Sequence, residues 1–251
     1  MIIVGAGLSG LIAASMMRDS CEAVFEKQST LPNNHSALLR FKSSVVGDAV
    51  GIPFRKVKVM KAVDRYRNPV ADAMLYSLKA TGKAELRSVA TAAGEIEERY
   101  IAPSDFISRI ARQIGPKIRY QIGMDEACYA GSHDKRVIST IPMPALMGIL
   151  GWDEKPEFSY VGGEVITCEL PEEEVNACVT VYLPSPEVLP YRVSITDRKL
   201  IIEVSHATTE NSPLTPTGVE HCIRDGLQAL GLGHLFADAM AKHTVKQMKG
   251  T

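Results

Sequence analysis

The chain has 251 residues, enough for one large or two small domains. It is 45% hydrophobic and 23% charged, which is the composition of a soluble globular protein with a substantial core. Its 28 basic and 29 acidic residues leave a net charge of −1, excluding a uniformly basic nucleic-acid binder and a charge-driven disordered chain.

Ile2-Ile3-Val4 is a short apolar run ending at glycine, the pattern of a buried parallel strand. Leu8 to Arg18 follows with Leu8, Leu11, Ile12 and Met16 at helical spacing, and Glu22 to Glu26 is a second strand. Residues 28–36, with Pro32, Asn33 and Asn34, are expected to form a loop. The stretch 40–67 carries eight basic residues (Arg40, Lys42, Arg55, Lys56, Lys58, Lys61, Arg65, Arg67) against Asp48 and Asp64, a local charge of +6. Helical periodicity covers Pro69–Lys79 and Ser104–Ile114, with Ser104 as the expected N-cap. Arg136–Ile141 is a strand stopped by Pro142 and Pro144. Beyond Trp152, the runs Glu164–Glu169, Ala177–Leu183, Tyr191–Ile195 and Leu200–Val204 alternate and are β-branched, with Asp197-Arg198 as a tight hairpin. That block is expected to be antiparallel. Thr217–Leu230 and His234–Met248 are expected helices, separated by Gly231 and Gly233.

Gly5-Ala6-Gly7-Leu8-Ser9-Gly10 is a GxGxxG between a strand and a helix. Gly5 makes the tight turn, Gly7 lets the backbone approach a pyrophosphate, and Gly10 lets the helix pack closely. The helix start offers unbonded N–H groups and the positive end of its dipole to the phosphates. Glu26 closes the second strand 21 residues after Gly5, near the spacing of about 20 for the acid that bonds a ribose hydroxyl. An acid there repels a 2′-phosphate, so the expected ligand is FAD or NAD rather than NADP.

The run GAGLSGLIAA, followed by a strand ending in Phe25-Glu26-Lys27, resembles the FAD-binding flavoproteins of the amine oxidase and UDP-galactopyranose mutase group. Val137-Ile138-Ser139-Thr140-Ile141-Pro142 is similar to that group's late strand returning to the flavin, and Leu189-Pro190-Tyr191-Arg192-Val193 to a mutase strand of the substrate cleft. The resemblance implies an α/β fold, a Rossmann-like FAD-binding domain with an antiparallel β-sheet substrate layer. Residues 1–45 and 117–150, with helices in 215–251, would form the FAD domain, and 46–116 and 151–214 the substrate insertions. It implies FAD contacts from Gly5, Gly7, Leu8, Ser9, Gly10, Glu26, Lys27, Arg40, Thr140 and Pro142, and chemistry or substrate binding by His35, Tyr191 and Arg192. Strand alternation puts Tyr191 and Arg192 on opposite faces, with Arg192 as the anion clamp. The chain departs from the group in two places. Asn33-Asn34-His35-Ser36 stands where a double glycine is usual, and Lys249-Gly250-Thr251 ends without the glycine-rich flavin-closing segment. The implied function is an FAD-dependent oxidoreductase, mutase or flavin-assisted lyase. Its substrate would be a small or anionic amine or sugar, nucleotide- or nucleobase-linked; a phage-type enzyme of DNA base modification is one form of this reading.

Two alternatives stay open: an NAD-dependent dehydrogenase, and a non-catalytic dinucleotide- or nucleic-acid-binding protein. Five cysteines without a CxxC pair exclude a disulfide framework, and Cys21 and Cys222 are expected to be apolar fillers. The six histidines show no metal-ligand spacing, so no metal is expected. No run nears the roughly 20 apolar residues that span a bilayer. The opening lacks the basic region of a signal peptide, and a reducing, cytoplasmic setting is expected.

Overall fold

A computed structural model describes residues 1–31, 40–64, 68–85, 94–125, 135–153, 156–158, 160–171, 173–209 and 212–248. The chain divides into two compact units. The first comprises residues 1–35, 39–55 and 100–158, the second residues 36–38, 56–99 and 159–251.

In the first unit, β1 (Ile2–Val4) and β2 (Ala23–Glu26) are buried along their whole length, so both sheet faces need cover. They lie in a parallel sheet of order β6-β2-β1-β7, where β6 is Ile118–Tyr120 and β7 is Val137–Ser139. Alternation sends Ile3 and Val24 to one face, where they pack with Leu11, Ala14, Val50, Ile52, Phe106, Ile110 and Ile114. Ile2, Val4, Ala23 and Phe25 pack on the other face with Ile122, Met124 and Ile141. Helices α1 (Leu8–Met16), α2 (Val45–Ala49) and α4 (Phe106–Ile114) supply cover for the first face, and α1 packs on α4. Phe54 stacks on Phe41, with ring centroids 4.9 Å apart, and meets Phe106 edge-on at 5.0 Å. Asp105, not Ser104, occupies the N-cap of α4, and its carboxylate accepts from Arg109 Nε instead of capping. β7 stops at Ser139, short of the expected Ile141, and beyond Pro142 residues Met143–Ile149 form helix α5, because proline is tolerated in a first helical turn.

The second unit is built on a sheet of order β12-β8-β11-β10-β9-β4-β5. Strands β8 (Gly163–Glu169), β9 (Ala177–Tyr182), β10 (Arg192–Asp197) and β11 (Lys199–Ser205) are antiparallel as the sequence predicts. Thr196 pairs with Lys199 across the Asp197-Arg198 turn, where Asp197 takes φ 57°, a left-handed conformation that aspartate tolerates. The sheet is not purely antiparallel. β4 (Arg55–Val63) runs parallel to β9, with Met60 opposite Val179 and Val63 opposite Tyr182. β5 (Ile96–Ile101) neighbours β4, and its last residues, Tyr100 and Ile101, belong to the first unit and pair there with Phe41 and Arg40 of β3 (Arg40–Phe41).

The expected helix over His234–Met248 breaks into a 3-10 turn (Gly233–Leu235), a short helix α7 (Phe236–Ala241) and an edge strand β12 (His243–Met248) paired with β8. Thr244 and Val245 are β-branched, and the open β8 edge gives this segment backbone partners that a lone helix would not. α6 (Pro216–Ala229) is the helix expected near 217–230. Its Val219, Cys222, Ile223 and Leu227 pack with Ile166, Val193, Ile195, Leu200, Ile202 and Val204. Residues 216–248 therefore group with the β8–β11 sheet rather than with the Rossmann-like part, and α2 and α4 group with the Rossmann-like part rather than with an insertion. α3 (Pro69–Thr81) completes the second unit.

Candidate functional site

The parallel sheet has its topological switch point at β1, because β2 lies on one side of it and β7 on the other. Ligands of open α/β sheets bind beyond the strand carboxyl ends at that crevice. β1 runs out into Gly5, β2 ends at Glu26, and β7 runs out into Thr140. The sequence-predicted residues Gly5, Gly7, Leu8, Ser9, Gly10, Glu26 and Thr140 thus meet at one place.

Their bonds fix the loop. Gly5 N–H donates to Phe25 O at 2.8 Å, and Thr140 N–H donates to Val4 O at 2.9 Å. Thr140 Oγ1 lies 3.0 Å from Val4 O and 3.1 Å from Gly5 O. Glu26 is only 8% exposed, and its Oε2 accepts from Ala6 N–H at 2.8 Å. Its Oε1 accepts from Gln28 N–H at 2.9 Å. An ionised carboxylate offers about four acceptor positions, so two remain for hydroxyl donors.

The three glycines differ in what requires them. Gly5 has φ +96°, and a Cβ there would stand 2.6 Å from Thr140 Oγ1. A Cβ on Gly10 would stand 1.8 Å from Gly5 O. Gly7 has φ −68°, which any residue adopts, and a Cβ there meets no protein atom within 4 Å. Packing explains Gly5 and Gly10; open space lies in front of Gly7. Gly7 is also the N-cap of α1, and neither a side-chain cap nor an acidic first-turn residue occupies that helix end. No cap or acidic side chain competes for its first-turn N–H groups.

The remaining predicted residues are spread out. Lys27 is exposed just past β2, Pro142 is the exposed N-cap of α5, and Arg40 is half-buried on β3. His35 lies outside the described residues, as do Asn33, Asn34, Ser36, Arg65, Tyr66, Arg67, Cys128 and His133.

In the second unit Tyr191 and Arg192 do not part to opposite faces. Tyr191 precedes β10, and both side chains reach Glu203 of β11. Arg192 Nε and NH2 hold the two oxygens of Glu203, Tyr191 Oη lies 3.3 Å from Glu203 Oε1, and the guanidinium lies 5.8 Å from the Tyr191 ring centroid. Burial works against the Arg192 charge, but its two bonds to Glu203 outweigh that and raise its pKa. Burial raises the Tyr191 phenol, with the Glu203 carboxylate adding to the effect. Tyr76 packs edge-on to Tyr182 and Tyr191 beside them. Arg192 is therefore held and oriented by Glu203, a residue that sequence reasoning passed over. Counting outward from the two-residue turn sets residue 203 opposite 192 and was the available signal.

The basic stretch is likewise partly neutralised. Lys56 pairs with Glu98 at 2.7 Å and Lys61 with Glu97 at 2.5 Å, both acids on β5. Burial pushes the Cys168 and Cys222 thiols up to about 12, which makes them apolar fillers. Among the described residues no cluster of histidine, cysteine, aspartate or glutamate could hold a metal, and no helix is long and apolar enough to cross a membrane.

No protein-family model matches the chain, and no curated protein matches it. Solved structures do. Reduced UDP-galactopyranose mutase is 14% identical with a TM-score of 0.65, over 100% of this chain and 81% of that one. Klebsiella pneumoniae HpxO, solved with FAD and uric acid, is 11% identical with a TM-score of 0.56, over 98% of this chain and 66% of that one. The tetrameric form of 2-methyl-3-hydroxypyridine-5-carboxylic acid oxygenase is 11% identical with a TM-score of 0.53, over 98% and 69%. The fold is that of FAD-binding flavoproteins. The chain spans just under two thirds of the length of HpxO and 65% of a Cytophaga hutchinsonii flavoprotein/dehydrogenase. Within this flavoprotein-type fold the glycine loop, Glu26 and Thr140 occupy the switch point of the parallel sheet.

Proposed function

We propose that the protein is an FAD-dependent enzyme of oxidoreductase, monooxygenase or mutase type. The observation that carries this reading is Gly7, a glycine that neither backbone conformation nor packing requires, facing open space at a helix start. A pyrophosphate lying against the loop supplies the requirement, since a Cβ would fill its place. The Gly7 backbone and the α1 N-terminus would hold the phosphates, and the free acceptor positions of Glu26 the ribose hydroxyls. Bound FAD would supply the electron-transfer or flavin-nucleophile chemistry, while the protein orients it and excludes water. The fold it shares with the mutase and the oxygenases supports this choice over a nicotinamide cofactor. The deciding experiment is the absorption spectrum of the purified protein, with mass analysis of what denaturation releases. Stoichiometric FAD upholds the proposal; NAD, or no dinucleotide even after incubation with FAD, rejects it.

For the substrate we infer a small anionic molecule, nucleotide-linked in the form the mutase likeness suggests, met by Arg192. Glu203 takes two of the five guanidinium N–H groups and leaves three, oriented by that bidentate grip. Arg192→Lys keeps the charge and loses the fork, so it should weaken substrate binding about tenfold. Equal affinity in the variant and the parent at low salt removes Arg192 from the substrate site.

A further inference from the structure

The first unit has an open cavity of about 480 Å³, lined by Arg18, Gly51, Ile52, Pro53, Arg109, Arg112 and Gln113. It is remote from the glycine loop. Arg18 follows the carboxyl end of α1 while Gly7 precedes its amino end, and nine helical residues between them span about 13 Å. We propose that this cavity binds a phosphate dianion carried on a small molecule, at a site separate from the dinucleotide.

Three observations support it. The first is charge. Three guanidiniums line the cavity, and only Arg109 is bound to a carboxylate, that of Asp105 at 2.9 Å. Among the described residues Arg18 and Arg112 have no carboxylate in ion-pair range, so the charge left over matches a dianion. Arg109 and Arg112 are three apart on α4 and share one side of it.

The second is that two carbonyls in the turn after α1, beside Arg18, are already occupied. Lys117 Nζ donates to Arg18 O at 2.6 Å and to Cys21 O at 2.7 Å. That ammonium sits just past the carboxyl end of α1, where a cation is favoured by the helix dipole.

The third is rigidity. Gln113 spends its amide inside the wall: Nε2 donates to Val50 O at 3.1 Å, and Oε1 accepts from Ser15 Oγ at 3.1 Å. These two bonds tie α4 to α1 and to the 50–53 loop, so the guanidiniums project from fixed backbone. Gly51 holds that loop with φ +67°. Each guanidinium presents a planar fork that matches phosphate oxygens in pairs. A cavity of this volume with three guanidiniums in its lining is sized for a compact ligand.

The test is calorimetric titration of the 251-residue chain, pre-saturated with FAD so that the glycine loop is filled, with pyrophosphate at low salt, beside sulfate and a short single-stranded oligonucleotide. Three proteins are compared: the parent, Arg112→Gln and Gly7→Val. Arg112 is exposed, so its replacement should leave the fold intact, which circular dichroism checks. The expected result is one saturable pyrophosphate site in the parent, kept in Gly7→Val and weakened about tenfold or more in Arg112→Gln. Loss in Gly7→Val with retention in Arg112→Gln would mean the anion sits at the glycine loop, and overturns the proposal. No saturable binding in the parent also overturns it. Binding of the oligonucleotide without pyrophosphate rejects the small-ligand assignment in favour of a nucleic-acid backbone. Because Gly7→Val separates the two sites, failure here leaves the FAD reading standing, and the reverse holds too.

Discussion

At the scale of single residues, the glycine loop separates ligand effects from folding effects. Gly7→Val should leave the melting temperature within a few degrees of the parent, since its Cβ meets no protein atom, yet abolish bound FAD. Gly10→Ala should do the opposite. Its Cβ would collide with Gly5 O, main-chain oxygen that cannot swing aside, and should cost about 3 kcal/mol or more in urea unfolding. Glu26→Ala combines both effects. It removes the acceptor of the buried Ala6 N–H and the ribose partner, so FAD affinity should fall about ten- to a hundredfold by titration.

Lys79 gives the residue scale a pH signature. Its Nζ donates to Leu183 O at 3.0 Å and Ser185 O at 2.7 Å inside the second unit. Burial lowers its pKa to about 8, against the opposing pull of Asp225, Cys222 and Asp64. An unfolded lysine titrates near 10.4. Between these values the unfolded chain holds a proton that the folded chain has released, so raising the pH through this window stabilises the fold. The gain should be roughly 2–4 kcal/mol; because the buried Cys168, Cys222 and Tyr191 lose stability over the same range, it is read as the change in the stability difference between the parent and Lys79→Met from pH 7.5 to 10.5.

At the scale of elements, α3 shows how local chemistry settles a boundary. Asn68 Oδ1 accepts from the N–H groups of Val70 and Ala71, Pro69 opens the helix, and Gly82 closes it with φ +74°. Asn68→Ala should destabilise the protein by about 1 kcal/mol in chemical denaturation. α4 lacks such a cap: its N-cap is Asp105, one residue after the expected Ser104, and that carboxylate is engaged with Arg109. The β10–β11 hairpin carries the Arg192–Glu203 pair directly across its ladder. There the turn dictates which side chains meet, and β12 is strand because β8 presents an unpaired edge.

At the scale of the whole molecule, the proposed FAD site exists only in the native protein, so saturating cofactor should stabilise it. At a free concentration of a hundred times Kd the gain is roughly 2.7 kcal/mol, and scanning calorimetry should show a transition that rises with added FAD and stays fixed in Gly7→Val. The sequence by itself determined the β1–α1–β2 start, the glycine loop, the acid at its proper distance and the Asp197-Arg198 hairpin. Each of these is set by residues within about thirty positions, where periodicity, glycine geometry and turn preference act directly. Tertiary structure alone decided that β4 runs parallel to β9, that 243–248 is a strand, that Thr140 closes on Gly5, and that Glu203 holds Arg192. It also gathered Arg18, Arg109 and Arg112 around one cavity from opposite ends of the first unit's sequence. These depend on pairings between residues far apart in the chain, whose free energy comes from burial and hydrogen bonding that exist only once the partners meet.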